Sequence, residues 1–419
     1  MDVSGRVGLG TVERVALRPG RLSNSRIARL PRNVAVRSSA PETMQKLDFS
    51  KLNTEEEFMG AMSIGAQSGF LPDGLLEVWR DFYANYKAAV VGSGVDNAES
   101  LTLEVQKSIA GRVFNQFMDP YKFPSYHERI LEPFNYYDFG QKYVGNLVDF
   151  KNSVVGHIDR WGEIERQIKA GENVILLANH QTEADPGVFA HMLTSTHPTL
   201  AENVIYVAGD RVVTDPMCKP FSMGRNLFCV HSKKHMDDVP ELRKEKMAMN
   251  RRTLAVMSRK LNEGGNLLWI APSGGRDRPD ADGVWLPSDF DPTAVELMKK
   301  LCLNAKSPGH LYSMAMVSWN MMPPPSGLSK TIGERRLTNH VGVGISVGEE
   351  LKPEKILEGL DEAEPEVRQT TFSSFAHDAC VEEYKKLDLA IKDPEARKKM
   401  PDFSQPWVPA KKKRFFWFW

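Results

Sequence analysis

From about residue 140 onward, the chain alternates between short apolar runs and segments with helical spacing, and this alternation constrains the fold most. The apolar runs predict six buried strands, at 174–178, 204–208, 227–231, 267–271, 312–317 and 341–347. The segments between them, such as 186–193 and 241–261, are predicted helices. Strands that alternate with helices indicate an α/β domain with a mixed, largely parallel sheet flanked by helices.

The region before this alternation shows only helical periodicity. Thr54 is a predicted helix N-cap with Glu57 at the third helical position, which is a capping box. Apolar stripes follow at Leu75, Val78, Trp79, Phe82 and Tyr83, and at Leu101, Val105, Ile109, Val113 and Phe117. Such stripes are typical of helices that bury one face in a small bundle. We therefore predict a helical bundle domain at 47–130 and an α/β domain at 138–407.

Charge is distributed unevenly along the chain. Residues 1–40 contain eight arginines, five serines and only two acids, for a net charge of +6, and the remainder has a net charge of −6. This composition predicts an organellar transit peptide at 1–40, although a basic arm that contacts nucleic acid would look similar. The acidic remainder is a poor non-specific binder of nucleic acid, which favours targeting.

Composition also argues against several classes of protein. No stretch approaches the ~18 consecutive apolar residues of a membrane-spanning helix, so an integral membrane protein is not expected. The four cysteines show no C-x-x-C spacing, which argues against a disulfide scaffold or a zinc finger. The tail 408–419 joins four basic residues to five aromatic ones. It could contact a bilayer interface or be a terminus without a function of its own.

The clearest chemical motif follows the strand predicted at 174–178. His180 comes where this strand ends, at the edge of the sheet where α/β proteins bind ligands. Asp185 and Pro186 are the predicted N-cap and first residue of the next helix. A turn between strand and helix lets the carboxylate fold back onto the imidazole, hold one tautomer and stabilise the protonated ring. The other ring nitrogen can then accept a proton from a hydroxyl.

The sequence offers this base no familiar partner nucleophile. No G-x-S-x-G elbow is present, and Ser273 lies in a Pro-Ser-Gly-Gly context. The base is therefore expected to act on a substrate hydroxyl, without a covalent enzyme intermediate. A metal site of His180, Glu183 and Asp185 is an alternative, although the H-E-x-x-H spacing is absent. A structural histidine beside a capped helix is another.

Two basic clusters follow later predicted strands and should leave the sheet at the same edge. They are Lys233, Lys234 and His235 after the third strand, and Arg276 and Arg278 after the fourth. Two arginines that are two apart in an extended segment point the same way, and guanidinium groups suit phosphate oxygens. Either cluster alone could be a solvated loop. Beside the His–Asp pair they predict an anion pocket next to a general base.

The segments that carry these residues resemble blocks of the soluble plastid glycerol-3-phosphate 1-O-acyltransferases. The blocks are 178–186, 224–235 and 269–279, with a fourth at 314–325. The H-x4-D motif alone belongs to a wider acyltransferase superfamily. The third block reads Pro-Ser-Gly-Gly-Arg, as in the plastid group, where many membrane members carry Pro-Glu-Gly-Thr-Arg. The similarity extends from about Asp48 to about Trp407 and does not include the tail.

The resemblance implies transfer of a fatty acyl group from acyl carrier protein, or less favourably coenzyme A, to the sn-1 hydroxyl of glycerol 3-phosphate in the plastid stroma. It implies His180 as the general base and Asp185 as its orienting partner. It further implies that Lys234, His235, Arg276 and Arg278 hold the phosphate. No cofactor, metal or nucleic acid is implied, and peripheral membrane contact is left open. Seven bases within 243–260 could dock an acidic carrier protein or form a solvated face.

Three other functions compete with this one. A 1-acylglycerol-3-phosphate acyltransferase would share the H-x4-D logic but is expected to be embedded in a membrane. A metallohydrolase would use His180 and Asp185 as ligands and would lose activity on chelation. A phospholipid- or carrier-protein-binding module would bind its ligand without turnover, and the intact His180–Asp185 pair argues against it.

Overall fold

The structure is a computed structural model that describes residues 48–69, 71–72, 74–232, 236–237, 239–324 and 335–409. The predicted transit peptide, the tail beyond residue 409, and Lys233, Lys234 and His235 lie outside the described residues. Within the described ranges, no helix has both the length and the apolar character needed to cross a bilayer.

Three long helices open the described chain: α1 (Glu55–Gln67), α2 (Leu75–Gly92) and α3 (Ala98–Met118). The predicted N-cap of α1 is confirmed, whereas the return bond of the predicted capping box is made to Asn53, one residue before the cap. Glu57 N donates to Thr54 Oγ1 over 3.1 Å, and the Glu57 carboxylate accepts from Asn53 N over 2.6 Å. The apolar stripes face inward, and the buried indole of Trp79 donates to Gln106 Oε1 over 3.1 Å. This pairing ties α2 to α3.

The rest of the chain alternates strands and helices. The strands are β1 (Tyr126–His127), β2 (Val154–Gly156), β3 (Asn173–Ala178), β4 (Ile205–Ala208), β5 (Asn226–Cys229), β6 (Leu267–Ile270), β7 (Gly309–Val317), β8 (Gly344–Glu350) and β9 (Phe403–Ser404). The helices are α4 (Tyr136–Gly145), α5 (Ile158–Lys169), α6 (Asp185–Leu193), α7 (Pro198–Asn203), α8 (Asp210–Thr214), α9 (Lys219–Met223), α10 (Arg243–Glu263), α11 (Pro292–Leu303), α12 (Pro353–Ile356), α13 (Pro365–Lys392) and α14 (Pro394–Arg397).

The strands form one mixed sheet in the order β1-β5-β4-β6-β3-β7-β8-β2-β9. The five strands from β5 to β7 in this order are mutually parallel, and β2 is parallel to β8. The pairs β1–β5, β7–β8 and β2–β9 are antiparallel. The predicted fold class, helices followed by a mixed, largely parallel α/β sheet, is therefore confirmed.

All six predicted strands are present, with shifts at their ends. The strand predicted at 227–231 ends at Cys229, and the one predicted at 341–347 is β8, Gly344–Glu350. Val341 forms only an isolated bridge with Val148. The prediction missed β1, β2 and β9, which have two or three residues each and are too short for a periodic signal.

The helical region and the sheet share a hydrophobic core. Phe58 and Trp79 of the helices belong to the same buried cluster as Leu176 of β3, which faces one side of the sheet. Ile175 of the same strand faces the other side, in a second cluster that includes Phe372 of α13. β1, which lies within the predicted helical bundle domain at 47–130, pairs with β5 at the edge of the sheet. The division into domains at 47–130 and 138–407 stays a prediction.

Candidate active site

The parallel strands bring four loops to one edge of the sheet. His180 follows β3, Ser232 follows β5, Arg276 follows β6 and Ser318 follows β7. Because parallel strands share the direction of their carboxyl ends, these loops all leave the sheet on the same side. The sequence prediction of a common edge for the His–Asp motif and the arginine cluster is confirmed.

His180 and Asp185 form the predicted pair. The distance from His180 Nδ1 to Asp185 Oδ2 is 2.7 Å. The His180 side chain is 28% exposed and that of Asp185 is 1% exposed, so the ring reaches the solvent and the carboxylate does not. An ionised carboxylate only accepts, so Nδ1 carries the proton and Nε2 is left with its lone pair. Among the described residues no group bonds to Nε2, which is therefore open to a substrate.

Asp185 is held by more donors than the sequence suggested. Oδ2 also accepts from Gln181 N over 2.7 Å, and Oδ1 accepts from Ser318 Oγ over 2.6 Å. The backbone N–H and hydroxyl of Thr182 donate to Oδ1 over 3.2 and 3.1 Å. Burial alone would raise the pKa of Asp185, but the bonds from His180, Ser318 and Gln181 hold that pKa below its ordinary value. The carboxylate therefore stays ionised beside the imidazole.

One local prediction about this motif is wrong. Asp185 is the first residue of α6 and Ala184 is its N-cap, whereas the sequence suggested Asp185 as the cap. The carboxylate points backward along the chain to Gln181 and Thr182, because these amides and the His180 ring all lie on the loop side. Pro186 remains in the first turn of the helix, where its missing N–H has no cost.

A buried network joins the loop of His180 to that of Arg276. Asp277 N donates to His180 O over 2.6 Å, and Asn179 Nδ2 donates to Asp277 Oδ2 over 2.8 Å. Asn179 also bonds both backbone groups of Met316 in β7. Burial raises the pKa of Asp277, although Ser288 N and Asn179 donate to its carboxyl group. These bonds fix the backbone at Asp277. The side chains of Arg276 and Arg278, on either side of it, therefore start from fixed positions at this edge of the sheet.

Arg276 and Arg278 differ in their surroundings. The Arg276 side chain is 13% exposed, and its Nη1 lies 3.9 Å from Glu183 Oε1. Arg278 is exposed, and its Nη1 donates to the carbonyl oxygens of Asp277 and Arg276 over 2.9 and 3.4 Å. Asp277, between them, is fully buried, as alternation in an extended segment requires. Arg276 also lines a cleft with Glu183, Met322 and Arg336.

Arg336 is a site residue that the sequence analysis missed. Its Nε lies 2.9 Å from Glu183 Oε2, and its Nη2 lies 3.8 Å from Asp215 Oδ2. Burial alone would raise the pKa of Glu183, but the charges of Arg336 and Arg276 hold that pKa below its ordinary value. The alternative of a metal on His180, Glu183 and Asp185 would have to displace this guanidinium from Glu183. No local sequence signal joins two residues 153 positions apart.

The loop after β5 comes close to the loop after β6. Gly274 has φ +67°, and a Cβ placed there would lie 3.9 Å from Ser232 Oγ. His231 is fixed by Asn250 of α10, which accepts from His231 N over 2.7 Å and donates to His231 O over 2.9 Å. Asp210 faces the His231 ring. The predicted phosphate ligands Lys234 and His235 follow this anchored point and lie outside the described residues.

Comparison with known proteins covers both the helical region and the sheet. The family model "Glycerol-3-phosphate acyltransferase N-terminal" matches residues 46–121, and the model "Acyltransferase" matches residues 163–317. The chloroplastic glycerol-3-phosphate acyltransferase of Carthamus tinctorius is 43% identical over 363 residues, which are 85% of this chain and 78% of the relative. That of Arabidopsis thaliana is 40% identical over 383 residues, 90% of this chain and 83% of the relative. That of Spinacia oleracea is 40% identical over 371 residues, which are 88% of this chain and 78% of the relative.

Proposed function

The chain belongs to the chloroplast glycerol-3-phosphate acyltransferase family, and on that premise we propose that it moves a fatty acyl group from a thioester to the sn-1 hydroxyl of glycerol 3-phosphate. The observation that supports this reaction most is the His180–Asp185 pair, in which Nε2 of His180 is accessible to a substrate. The loop that carries Arg276 is hydrogen-bonded to the loop that carries this pair. A base and a phosphate-binding cation at one sheet edge suit a substrate that carries both a hydroxyl and a phosphate.

The reaction follows from the protonation of the pair. Nε2 of His180 accepts the proton of the sn-1 hydroxyl as the oxygen attacks the thioester carbonyl carbon. Asp185 stays ionised and stabilises the imidazolium that forms. The tetrahedral intermediate collapses, the carbon–sulfur bond breaks, and His180 returns the proton to the departing thiolate. The products are 1-acylglycerol 3-phosphate and a free thiol.

Direct attack by the substrate is supported by the surroundings of the base. Ser273 Oγ donates to Gly275 O over 3.0 Å and is not directed at His180. Ser318 donates to Asp185, on the far side of the pair from Nε2. Within the described part of the chain, no hydroxyl or thiol hydrogen-bonds to Nε2. The acyl group therefore passes directly from the thioester to the substrate, without an acyl-enzyme intermediate.

The phosphate is assigned to Arg276 and Arg278, together with Lys234 and His235 from the family resemblance. Arg276 is the central ligand because it is partly buried and because the next residue, Asp277, donates its backbone N–H to His180 O. A clamped phosphate fixes the sn-1 oxygen relative to Nε2, and orientation of this kind can lower a barrier by several kcal/mol.

The acyl donor is proposed to be acyl carrier protein, on the strength of the surface of α10. Thr253, Met257 and Leu261 bury one side of this helix. The opposite side exposes four bases, Lys244, Arg251, Arg252 and Arg259. Among the described residues, no carboxylate lies within ion-pair distance of these four. A basic ridge within residues 41–419, whose net charge is −6, is suited to an acidic partner.

The position of α10 favours a partner that delivers a substrate. The helix leads into β6 at its C-terminal end, so its N-terminal end lies at the carboxyl edge of the sheet. Asn250 of α10 bonds directly to His231 in the loop beside the site. A carrier protein bound along the ridge would place its thioester arm at the edge that holds His180.

Kinetics with two thioesters test the reaction and the docking surface separately. We expect Arg251→Glu/Arg252→Glu to raise the KM for acyl carrier protein thioesters by about tenfold and to leave coenzyme A thioesters unaffected. Lys355→Glu/Lys399→Glu reverses two exposed bases near the other end of the sheet and should change neither KM. Unchanged carrier-protein kinetics in the first variant would refute the docking surface only. Failure of both thioesters to acylate glycerol 3-phosphate would refute the reaction.

The plastid location is proposed together with the leader. We expect a fluorescent protein fused to residues 1–45 to accumulate in plastids. The composition of this segment, rich in arginine and serine and poor in acids, predicts an organellar transit peptide. The choice of plastids rests on the chloroplastic relatives. Accumulation in mitochondria or the cytosol would contradict this assignment.

A further inference from the structure

Ser318 is a buried serine that makes direct contact with the catalytic pair. It is the first residue after β7, and its hydroxyl donates to Asp185 Oδ1 over 2.6 Å, across 133 positions of sequence. Ser318 is 2% exposed and Asp185 1% exposed, so water does not replace this bond readily. A serine hydroxyl has one proton to donate, and here Asp185 receives it.

The backbone around Ser318 is fixed to the same loop that carries His180. The Gln181 side-chain oxygen accepts from Ser318 N over 2.8 Å and from Trp319 N over 3.1 Å. The Gln181 backbone N–H donates to Asp185 Oδ2 over 2.7 Å. Ser318, Gln181 and Asp185 therefore form a closed ring of hydrogen bonds, which ties the backbone of Ser318 to the loop of His180.

The two carboxylate oxygens of Asp185 have different tasks in this ring. Oδ2 faces His180 and Oδ1 faces Ser318. Among the described residues, the remaining donors to Oδ1 are the two groups of Thr182, at 3.1 and 3.2 Å, so Ser318 makes the shortest bond on that side. Without it, the carboxylate can rotate about its Cβ–Cγ bond and turn Oδ2 away from the imidazole.

We propose that Ser318 is a positioning residue for acyl transfer, which holds the Asp185 carboxylate so that His180 keeps its proton on Nδ1 and presents Nε2 to the substrate hydroxyl. The inference rests on the proposed function, because it assigns His180 as the base. The Ser318 hydroxyl bonds to Asp185 and so acts on His180 through that carboxylate.

Loss of this hydroxyl should also change the pH dependence of turnover. The titratable groups that face Asp185 are His180, Asp277 from the loop after β6, and Tyr206 of β4. The Ser318 hydrogen bond lowers the pKa of Asp185, so its removal lets the pair hold a proton more tightly. The acid limb of the kcat/KM profile should therefore move to higher pH.

The main test is Ser318→Ala, assayed as purified full-length protein with glycerol 3-phosphate and a thioester donor. We expect kcat to fall about tenfold, which corresponds to an increase of about 1.4 kcal/mol in the activation free energy. The KM for glycerol 3-phosphate should not change, because the arginine side of the site is intact. Ser318→Thr keeps a hydroxyl at a residue that borders a cavity, so this variant should recover both kcat and the acid limb.

Ser313→Ala is the matched control. Ser313 lies within β7, the strand that precedes Ser318, is fully buried and donates to Ala376 O over 2.6 Å, away from the catalytic pair. We expect this variant to lose stability but to keep the wild-type kcat and pH profile. If the wild type is active and Ser318→Ala has the same kcat and the same acid limb as the wild type, the positioning role is overturned. An equal loss of kcat in Ser313→Ala would overturn it as well, since the effect would then be structural.

Discussion

The two sides of the active edge are built differently. On the catalytic side, Asp185 is buried and receives hydrogen bonds from Gln181, Thr182 and Ser318 in addition to its contact with His180. On the cationic side, Arg276 is partly buried beside Glu183, and Arg278 is exposed and bonded to backbone carbonyls. The carboxylate that orients the base is buried and fully bonded before substrate arrives, whereas the cationic side combines one largely buried arginine with one exposed arginine.

This difference matches the demands of the two tasks. Proton transfer needs a base within hydrogen-bond reach at one orientation, so a fully bonded carboxylate is an advantage. Phosphate binding depends on charge and a planar fork, and it tolerates small movements of a long side chain. Substitutions on the catalytic side should therefore act on kcat, and substitutions on the cationic side on KM.

The largest expected effect is that of His180→Ala on turnover. Removal of a general base typically costs about 10²- to 10⁴-fold, and we expect a fall in kcat of about 10³-fold or more in acyl-transfer assays. His310→Ala is the control, because His310 lies between Glu172 and Glu350 at the opposite edge of the sheet. That variant should keep its kcat. Substantial turnover in His180→Ala would mean that another group removes the proton.

A comparison of Arg276→Ala with Arg278→Ala sharpens the picture of the cationic side. We expect the first to raise the KM for glycerol 3-phosphate by about 30-fold and the second by only about threefold, because a partly buried charge is less screened than an exposed one. In both variants kcat should change less than KM. If the KM for glycerol 3-phosphate stays at the wild-type value in Arg276→Ala, the phosphate assignment is wrong.

The smallest effect on turnover is expected for Arg336→Met, which should act on stability instead. The substitution leaves the partly buried Glu183 with the more distant Arg276 and Arg211, and loss of one partner of a buried pair costs about 3 kcal/mol or more at pH 7. The neighbouring Arg335→Met removes a 66% exposed guanidinium paired with Asp81 and should change Tm little. Equal losses of Tm in the two variants would contradict the claim that the Arg336–Glu183 ion pair stabilises the fold.

The pH dependence of this loss has a definite sign. The folded pKa of Glu183 lies below its ordinary value, so its charge stabilises the wild type above about pH 4 and less as the pH falls through the lowered pKa. Without Arg336, burial favours the neutral acid, which forms more readily at low pH. The difference in Tm between wild type and Arg336→Met should therefore be larger at pH 7 than at pH 4.

Local sequence patterns were sufficient to predict the sheet edge and the His180–Asp185 pair. Strand periodicity placed His180 at the end of β3, and a spacing of five residues across a turn was enough to bring Asp185 back to it. The contacts of Ser318 with Asp185 and of Arg336 with Glu183 join residues 133 and 153 positions apart. Those contacts depend on strand order, which no periodicity encodes.

The error at the start of α6 has the same origin. An Asp before a Pro is a common N-cap, and local propensity therefore pointed to Asp185 as the cap. In the structure the donors around His180 and from β7 compete for that carboxylate, and tertiary contacts decide where it points. The short strands β1, β2 and β9 were missed for a related reason, since pairing partners and not their own sequences define them.

The most direct test of the account is a crystal structure of the protein with glycerol 3-phosphate bound. The account predicts the phosphate in hydrogen-bond contact with Arg276 and the sn-1 oxygen about 3 Å from Nε2 of His180, within reach for proton transfer. A phosphate bound away from Arg276, or an sn-1 hydroxyl turned out of reach of Nε2, would contradict it.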